Sequence, residues 1–212
     1  MNPKKAIFWD NDGILVDTEK YYFEATRRIL QKVGFELTRE LYIELFLVQA
    51  KGAWHLLDPE KYSAGYILDL RKERDDLYHE YLRTREILID GIEELVAGLS
   101  KKYRMAIVTS SKSKHFYAIH ERTGLLKYFE FVVTPDDYTK YKPDPEPYLL
   151  AMQKMGVSGS ESIAIEDSRR GLMAARAAGM QCIIVKNELT ETSDFSEADY
   201  VLTHIRELTR IL

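Results

Sequence analysis

Apolar residues first gather in a short unbroken run, Ala6-Ile7-Phe8-Trp9, which stops at once in Asp10-Asn11-Asp12-Gly13. Four consecutive apolar positions with an abrupt polar end predict a strand covered on both faces, as in parallel sheets. From Thr18 to about Val33 the rhythm changes. Tyr22, Ala25, Ile29 and Val33 recur at helical spacing, and Gly34 stands where a helix would end. Leu41, Leu45 and Val48 repeat that spacing, as do Tyr62, Tyr66 and Leu70, and then Leu77, Tyr78 and Tyr81 beyond the charged run Arg71-Lys72-Glu73-Arg74-Asp75-Asp76. The pattern predicts helix throughout residues 17–88, and the mixed signs of the charged run predict a solvated helix face.

Beyond Asp90-Gly91 short β-branched or apolar runs alternate with helical stretches, the texture of βαβ units around a parallel sheet. Strands are expected at Met105–Val108, Phe131–Thr134, Ser162–Ile165, Cys182–Val185 and Tyr200–Leu202. Helices are expected around Ile92–Leu99, around Phe116 and Ile119 up to Gly124, from Tyr148 to Gly156, and from an N-cap at Ser168 to Gly179. The first strand therefore belongs with the C-terminal part. Residues 1–16 and 89–212 form an α/β core, and 17–88 form a helical insertion. Such an insertion leaves the sheet at the carboxyl edge, above Asp10 and Asp12, where it can act as a lid.

Composition narrows the class. With 212 residues, 45% hydrophobic and 30% charged, the chain can bury a substantial core. A net charge of −4 with no basic block disfavours nucleic acid, whose binding needs clustered Lys and Arg. Cys182 is the single cysteine, which excludes an intrachain disulfide, and its apolar neighbours make it a strand residue. The N-terminal apolar run is too short for a signal peptide and no segment has membrane-spanning length, so a cytoplasmic protein with no membrane partner is expected.

The chemistry collects at strand ends. On an extended chain Asp10 and Asp12 share a side that Asn11 does not. Two like charges so close call for a cation nearby. Val108-Thr109-Ser110-Ser111 ends a strand in hydroxyls, which either cap a helix or donate to a phosphate oxygen. Lys142-Pro143-Asp144-Pro145 holds an ammonium in extended backbone, because a residue before proline avoids helical geometry. That lysine is either solvated or a phosphate ligand; Lys140 reads as the surface residue. Ile163-Ala164-Ile165-Glu166-Asp167-Ser168 ends in two acids, which either complement a helix N-terminus or form a site for a hard cation.

Asp10, Asp12 and Gly13 after a hydrophobic strand, extended by Asp17-Thr18-Glu19, resemble the first motif of the haloacid dehalogenase-like superfamily. Thr109 is similar to its second motif, Lys142-Pro143-x-Pro145 to its third, and Glu166-Asp167 to its fourth, continued through Gly171, Ala174, Ala175, Ala178, Gly179 and Met180. The match covers the α/β part from end to end and points to subfamily IA, which includes phosphoglycolate phosphatases and β-phosphoglucomutases. This resemblance implies a Rossmann-like parallel sheet with helices on both faces plus an all-helical cap. It also implies Mg2+-dependent hydrolysis of a small phosphorylated metabolite through an aspartyl-phosphate, by a monomer or weak dimer.

Under that resemblance Asp10 is the nucleophile, Asp12 the acid and base, and Lys142 the neutralising cation. Asn11, Gly13, Thr109, Ser110 and Lys142 bind phosphate. Mg2+ is held by Asp10, the Asp12 carbonyl, Asp167 and Glu166, the last directly or through water. Lys51, Trp54, His55 and Tyr22 are the cap residues for substrate specificity, although a buried Trp54 and a solvated His55 are equally plain readings. Tyr22 stands where the mutases have a histidine, and His55 where they have an arginine, so phosphatase leads over sugar phosphomutase. A dehalogenase would need neither Asp12 nor Glu166-Asp167, and a non-catalytic binding protein should have lost a catalytic group. Asn11 and Ile14 depart from the usual apolar and Thr or Val residues; Asn11 either bonds locally in the turn or alters the surroundings of Asp10. His79, His115, His120 and His204 lack metal-ligand spacing, which leaves them surface or core roles.

Overall fold

The computed structural model describes residues 3–49 and 51–212. Along the chain the elements are β1 (Ala6–Trp9), α1 (Glu19–Gln31), α2 (Arg39–Tyr42), α3 (Ala64–Thr84), α4 (Ile92–Leu99), β2 (Arg104–Val108), α5 (Ser113–His120), β3 (Phe131–Val133), α6 (Glu146–Met155), β4 (Ser162–Glu166), α7 (Arg169–Ala177), β5 (Gln181–Val185) and β6 (Tyr200–Leu202). The six strands form one parallel sheet in the order β3-β2-β1-β4-β5-β6. Every strand expected from the apolar runs is present. Two compact units result, one built from residues up to Asp17 with Leu88–Leu212, the other from Thr18–Ile87.

In the α/β unit β1 is central, with β2 on one side and β4 on the other. The connections leave β1 in opposite directions, which makes its carboxyl end the switch point of the sheet, the place where such folds open a crevice. Register aligns Trp9 with both Ile107 and Ile165. The next residues, Asp10, Val108 and Glu166, therefore emerge at one level. One face of the sheet is lined by Ala6, Phe8, Ala106, Ala164 and Cys182, packed with Tyr148, Ala151, Leu172, Ala174 and Ala175 from α6 and α7. Small residues on both sides let the helices approach closely. The opposite face, with Ile7, Trp9, Ile107, Ile163 and Ile165, is equally buried. Beyond β1 the chain turns back so that Val16 bridges antiparallel to Leu88 and Leu15 O accepts from Ile89 N at 3.4 Å.

In the helical unit α1 packs on α3, around a core that includes Ile29, Leu30, Leu37, Tyr42, Trp54 and Leu70. Two expectations fail here. Residues 51–63 contain only a short 3-10 turn, Trp54–Leu56, so helix is not continuous. After α2 the chain widens into a π-helical turn, Ile43–Val48, whose longer period carries Val48 off the apolar face, leaving it 53% exposed. The charged run is not wholly solvated either. Arg74 is only 4% exposed and lies 4.4 Å from the Tyr22 ring centroid and 5.7 Å from that of Trp54. Its Nε donates to Asp75 at 2.8 Å, so a paired, stacked guanidinium replaces the apolar residue that the helix face would otherwise need. Among the described residues no helix is long and apolar enough to cross a membrane.

Helix α7 passes close to the Glu166 side chain at the end of β4. Ser168 caps α7, its Oγ accepting from Gly171 N at 3.0 Å. A Cβ on Gly171 would sit 1.9 Å from the Glu166 carboxyl carbon. That carboxylate is fully buried and fixed by hydrogen bonds, so it has nowhere to move. Gly171→Ala is expected to cost about 2–3 kcal/mol of stability, the scale of overpacking in a rigid core. Equilibrium urea unfolding measures this, and an unchanged midpoint would show that Glu166 yields.

Candidate active site

Lys142 lies at the centre of the carboxyl edge. Its ammonium donates to Asp10 Oδ1 at 2.7 Å, to Glu166 Oε1 at 2.7 Å and to the Val108 carbonyl at 2.8 Å. These are the three residues that the register brings level, so one side chain ties β1, β2 and β4 together at their ends. An ammonium has three donors, and all three are used. What Lys142 offers a phosphate is therefore charge and a fixed Asp10, with no N–H to spare. Its side chain is 4% exposed. Burial opposes its charge, but Asp10 and Glu166 outweigh burial and hold it protonated. Lys140 is exposed, as expected from sequence.

Asp10 feels the opposite balance. Burial, with the charges of Glu166 and Asp12, outweighs the pull of Lys142 and raises its carboxyl to about 7. The region is rich in negative charge. Asp10, Glu166 and Asp167 each present an oxygen, all within 4.8 Å of one another. An all-oxygen set of this kind fits a hard divalent cation. Gly13 makes part of the fit possible. It has φ +83, and a Cβ there would lie 2.0 Å from Asp167 Oδ2. Gly13 thus allows close approach of a carboxylate on the neighbouring loop.

The other predicted residues divide. Asp12 Oδ2 accepts from Ser111 Oγ at 2.8 Å, so the loops after β1 and β2 meet there. Thr109 is buried, and its Oγ1 accepts from Ser111 N at 2.9 Å, which shapes the turn after β2; the cap of α5 is Lys112, not Thr109. Ser110 is half-buried and bonds to the Tyr138 hydroxyl. The Asn11 side chain is committed to protein partners. Strand alternation turns it inward, where it is fully buried and bonded to His120 Nε2 and to Asp12. Glu166 stands behind the others, its Oε1 taken by Lys142 and Tyr148 and its Oε2 accepting from Ser168 at 3.2 Å. In the helical unit Tyr22 and Trp54 are packed around Arg74, whereas Lys51 and His55 are exposed.

Four residues in these contacts escape a reading of the sequence by motif. Tyr148 OH donates to Glu166 at 2.7 Å from inside α6. Ser111 reaches Asp12, His120 reaches Asn11, and Asn187 Nδ2 donates to Asp167 Oδ2 at 2.7 Å. Ser111 belongs to the hydroxyl run at the end of β2; of the other three only Asn187 carried a usable signal, since it follows an apolar strand at the same edge as the acids. Its Oδ1 accepts from Leu189 N and Thr190 N, which locks the amide and with it the Asp167 rotamer.

Comparison with known proteins agrees with this geometry. Residues 7–185 match the family model of haloacid dehalogenase-like hydrolases. A phosphorylated carbohydrates phosphatase of Thermotoga maritima is 29% identical over 98% of this chain and 98% of its own. The fructose-1-phosphate phosphatase YqaB of Escherichia coli is 30% identical over 85% of this chain and 96% of its own. The crystal structure of CbbY from Rhodobacter sphaeroides in complex with phosphate superposes with a TM-score of 0.80 at 27% identity, covering 97% and 96% of the two chains. With the motif residues gathered at one sheet edge and the match spanning most of its length, the chain belongs to the haloacid dehalogenase-like hydrolases, subfamily IA, as a phosphoric monoester hydrolase.

Proposed function

We propose that the chain hydrolyses phosphate monoesters of small sugars, with Asp10 as the covalent nucleophile and Asp12 as the acid and base. The observation that carries this reading is the Lys142 tie, which fixes one Asp10 oxygen at the switch point of the sheet while Asp12 stands on the same loop. The names of the Thermotoga and Escherichia relatives support sugar phosphates as the substrate class.

An Asp10 oxygen attacks phosphorus; the new P–O bond forms as the ester P–O bond breaks, and Asp12 gives its proton to the departing alkoxide. Water then attacks the aspartyl-phosphate, Asp12 takes the proton back, and inorganic phosphate leaves with Asp10 restored. Lys142 limits the repulsion between Asp10 and the incoming dianion. Asp10 and Asp167 would hold Mg2+, together with the Asp12 carbonyl and with Glu166 directly or through water; the bound ion supplies positive charge to the phosphoryl oxygens. For the helical unit we propose a part in choosing the leaving group, resting on its insertion after the first motif and on the exposure of Lys51 and His55.

Phosphate release from a panel of sugar phosphates and an aryl phosphate tests the core of this reading. Wild type is expected to turn over with Mg2+ and not with chelator, and Asp10→Asn to lose ~10⁴-fold or more. Sugar-phosphate isomerisation without phosphate release would favour a mutase instead.

Metal binding should depend on pH in a defined direction. The folded Asp10 value, about 7, lies above its unfolded value, so the proton it retains stabilises the metal-free fold at low pH. That contribution is lost as pH rises through about 7. A cation competes with the same proton. The rise in melting temperature on adding Mg2+ is therefore expected to be larger at pH 8 than at pH 5, and calorimetry at the two pH values measures it.

Lys51→Ala and His55→Ala should change the ranking of sugar phosphates more than the turnover of the aryl phosphate. Equal losses on every substrate would count against a role in selection.

A further inference from the structure

Behind the carboxylate site runs a buried polar chain that the proposed reaction does not yet use. His120, in the last turn of α5, is 4% exposed and Asn11 is fully buried. The ring packs against Phe116 at a tilt of 44°, with centroids 4.4 Å apart. His120 Nε2 lies 2.7 Å from Asn11 Oδ1, and its Nδ1 lies 2.8 Å from Thr123 Oγ1. Asn11 Nδ2 donates in turn to Asp12 Oδ2 at 3.2 Å, the oxygen that also accepts from Ser111 at 2.8 Å.

Elementary donor and acceptor rules orient every link. An ionised carboxylate only accepts, so Asn11 must turn its NH2 to Asp12 and its carbonyl to His120. The Nε2 of His120 must then carry a proton. In a neutral ring Nδ1 accepts, so Thr123 donates its hydroxyl proton to it, and Thr123 Oγ1 itself accepts from Leu125 N at 3.2 Å. Neutrality suits the surroundings, since burial pushes His120 down to about 4. The chain thus starts on a main-chain N–H and ends on the carboxylate, with one polarity throughout.

A buried asparagine beside the nucleophile would be costly without a partner, because an unsatisfied amide loses its hydration. The partner comes from a different helix, and the pair sends its remaining donor to Asp12. We propose that Asn11 and His120 are positioning residues for Asp12: with Ser111 they hold Oδ2 as an acceptor, so that the proton Asp12 delivers is carried on Oδ1 and aimed at the leaving oxygen. This rests on the reading of Asp12 as acid and base. The pair touches no substrate; it sets the rotamer and the proton-bearing oxygen of the group that does.

The test is leaving-group dependence. Phenyl phosphate needs a proton on its departing oxygen, 4-nitrophenyl phosphate needs it less, and 2,4-dinitrophenyl phosphate leaves as a stable anion. The variants are Asn11→Leu, the double variant Asn11→Leu/His120→Phe, His120→Gln, and Asp12→Ala as the control. The double variant replaces both polar partners by apolar ones and keeps an aromatic ring against Phe116, so it guards against simple misfolding; circular dichroism melting confirms its fold. General acids contribute ~10²–10⁴-fold, so a misdirected acid is expected to lose ~10-fold in kcat/KM on phenyl phosphate and less than ~3-fold on 2,4-dinitrophenyl phosphate. His120→Gln retains an N–H donor towards Asn11 and is expected to recover most of the phenyl phosphate activity.

A uniform loss on all three esters in the folded double variant, or no loss at all, overturns the proposal while leaving Asp12 as the acid, provided that Asp12→Ala steepens the dependence. Failure of Asp12→Ala to steepen it overturns the acid assignment itself, and the role of the pair with it.

Discussion

The structure depends on one ammonium. Lys142 donates to Asp10, Glu166 and the Val108 carbonyl, which stand level at the carboxyl ends of three neighbouring strands. Carboxylates from two strands could not both remain ionised and buried side by side without it. Tyr148 shares Glu166 with the lysine, and Gly171 leaves room for that carboxylate, so residues of α6 and α7 answer to the same constraint. One cation against Asp10 and Glu166, with Asp12 and Asp167 nearby, leaves an excess of negative charge. Burial first, and the charges of Glu166 and Asp12 after it, raise the Asp10 value, and a bound divalent cation would relieve the repulsion among the acids.

The groups for which catalysis is proposed are arranged in two depths. Asp10, Asp12 and Asp167 form the front. Each is held by a partner that arrives from elsewhere in the chain, Lys142 for Asp10, Ser111 for Asp12 and Asn187 for Asp167, and Asp12 is held also by its neighbour Asn11. Several of these holders are held in turn, Asn11 by His120 and Asn187 by its own turn. Fixing side chains in this way reduces the reorganisation that a reaction would otherwise require.

What the sequence made legible follows from where signals are local. Ala6–Trp9, Ser162–Glu166 and the other strands are apolar runs with polar stops, and the acids and Lys142 stand at such stops or just before a proline. Other holders have no local mark. His120 lies 109 residues from Asn11 and reads as an ordinary helix residue; Tyr148 reads as core. Arg74 was hidden for another reason. In a helix of mixed charge the spacing does not say which charged residue faces inward, and here the aromatic rings of Tyr22 and Trp54 select it. The π-helical turn before Val48 changed the period itself, so a pattern counted at 3.6 residues per turn lost its phase.

The bridge between Val16 and Leu88 brings together the two ends through which the chain leaves the α/β unit and returns. To the sheet, the whole helical unit is a loop whose ends already touch. The closure entropy of such a loop grows only slowly with its length. The core can therefore accept helical inserts of different size and sequence at this point while β1, β2 and β4 keep their register, so the insert, with the selective role proposed for it, is free to diversify separately from the acids at the sheet edge.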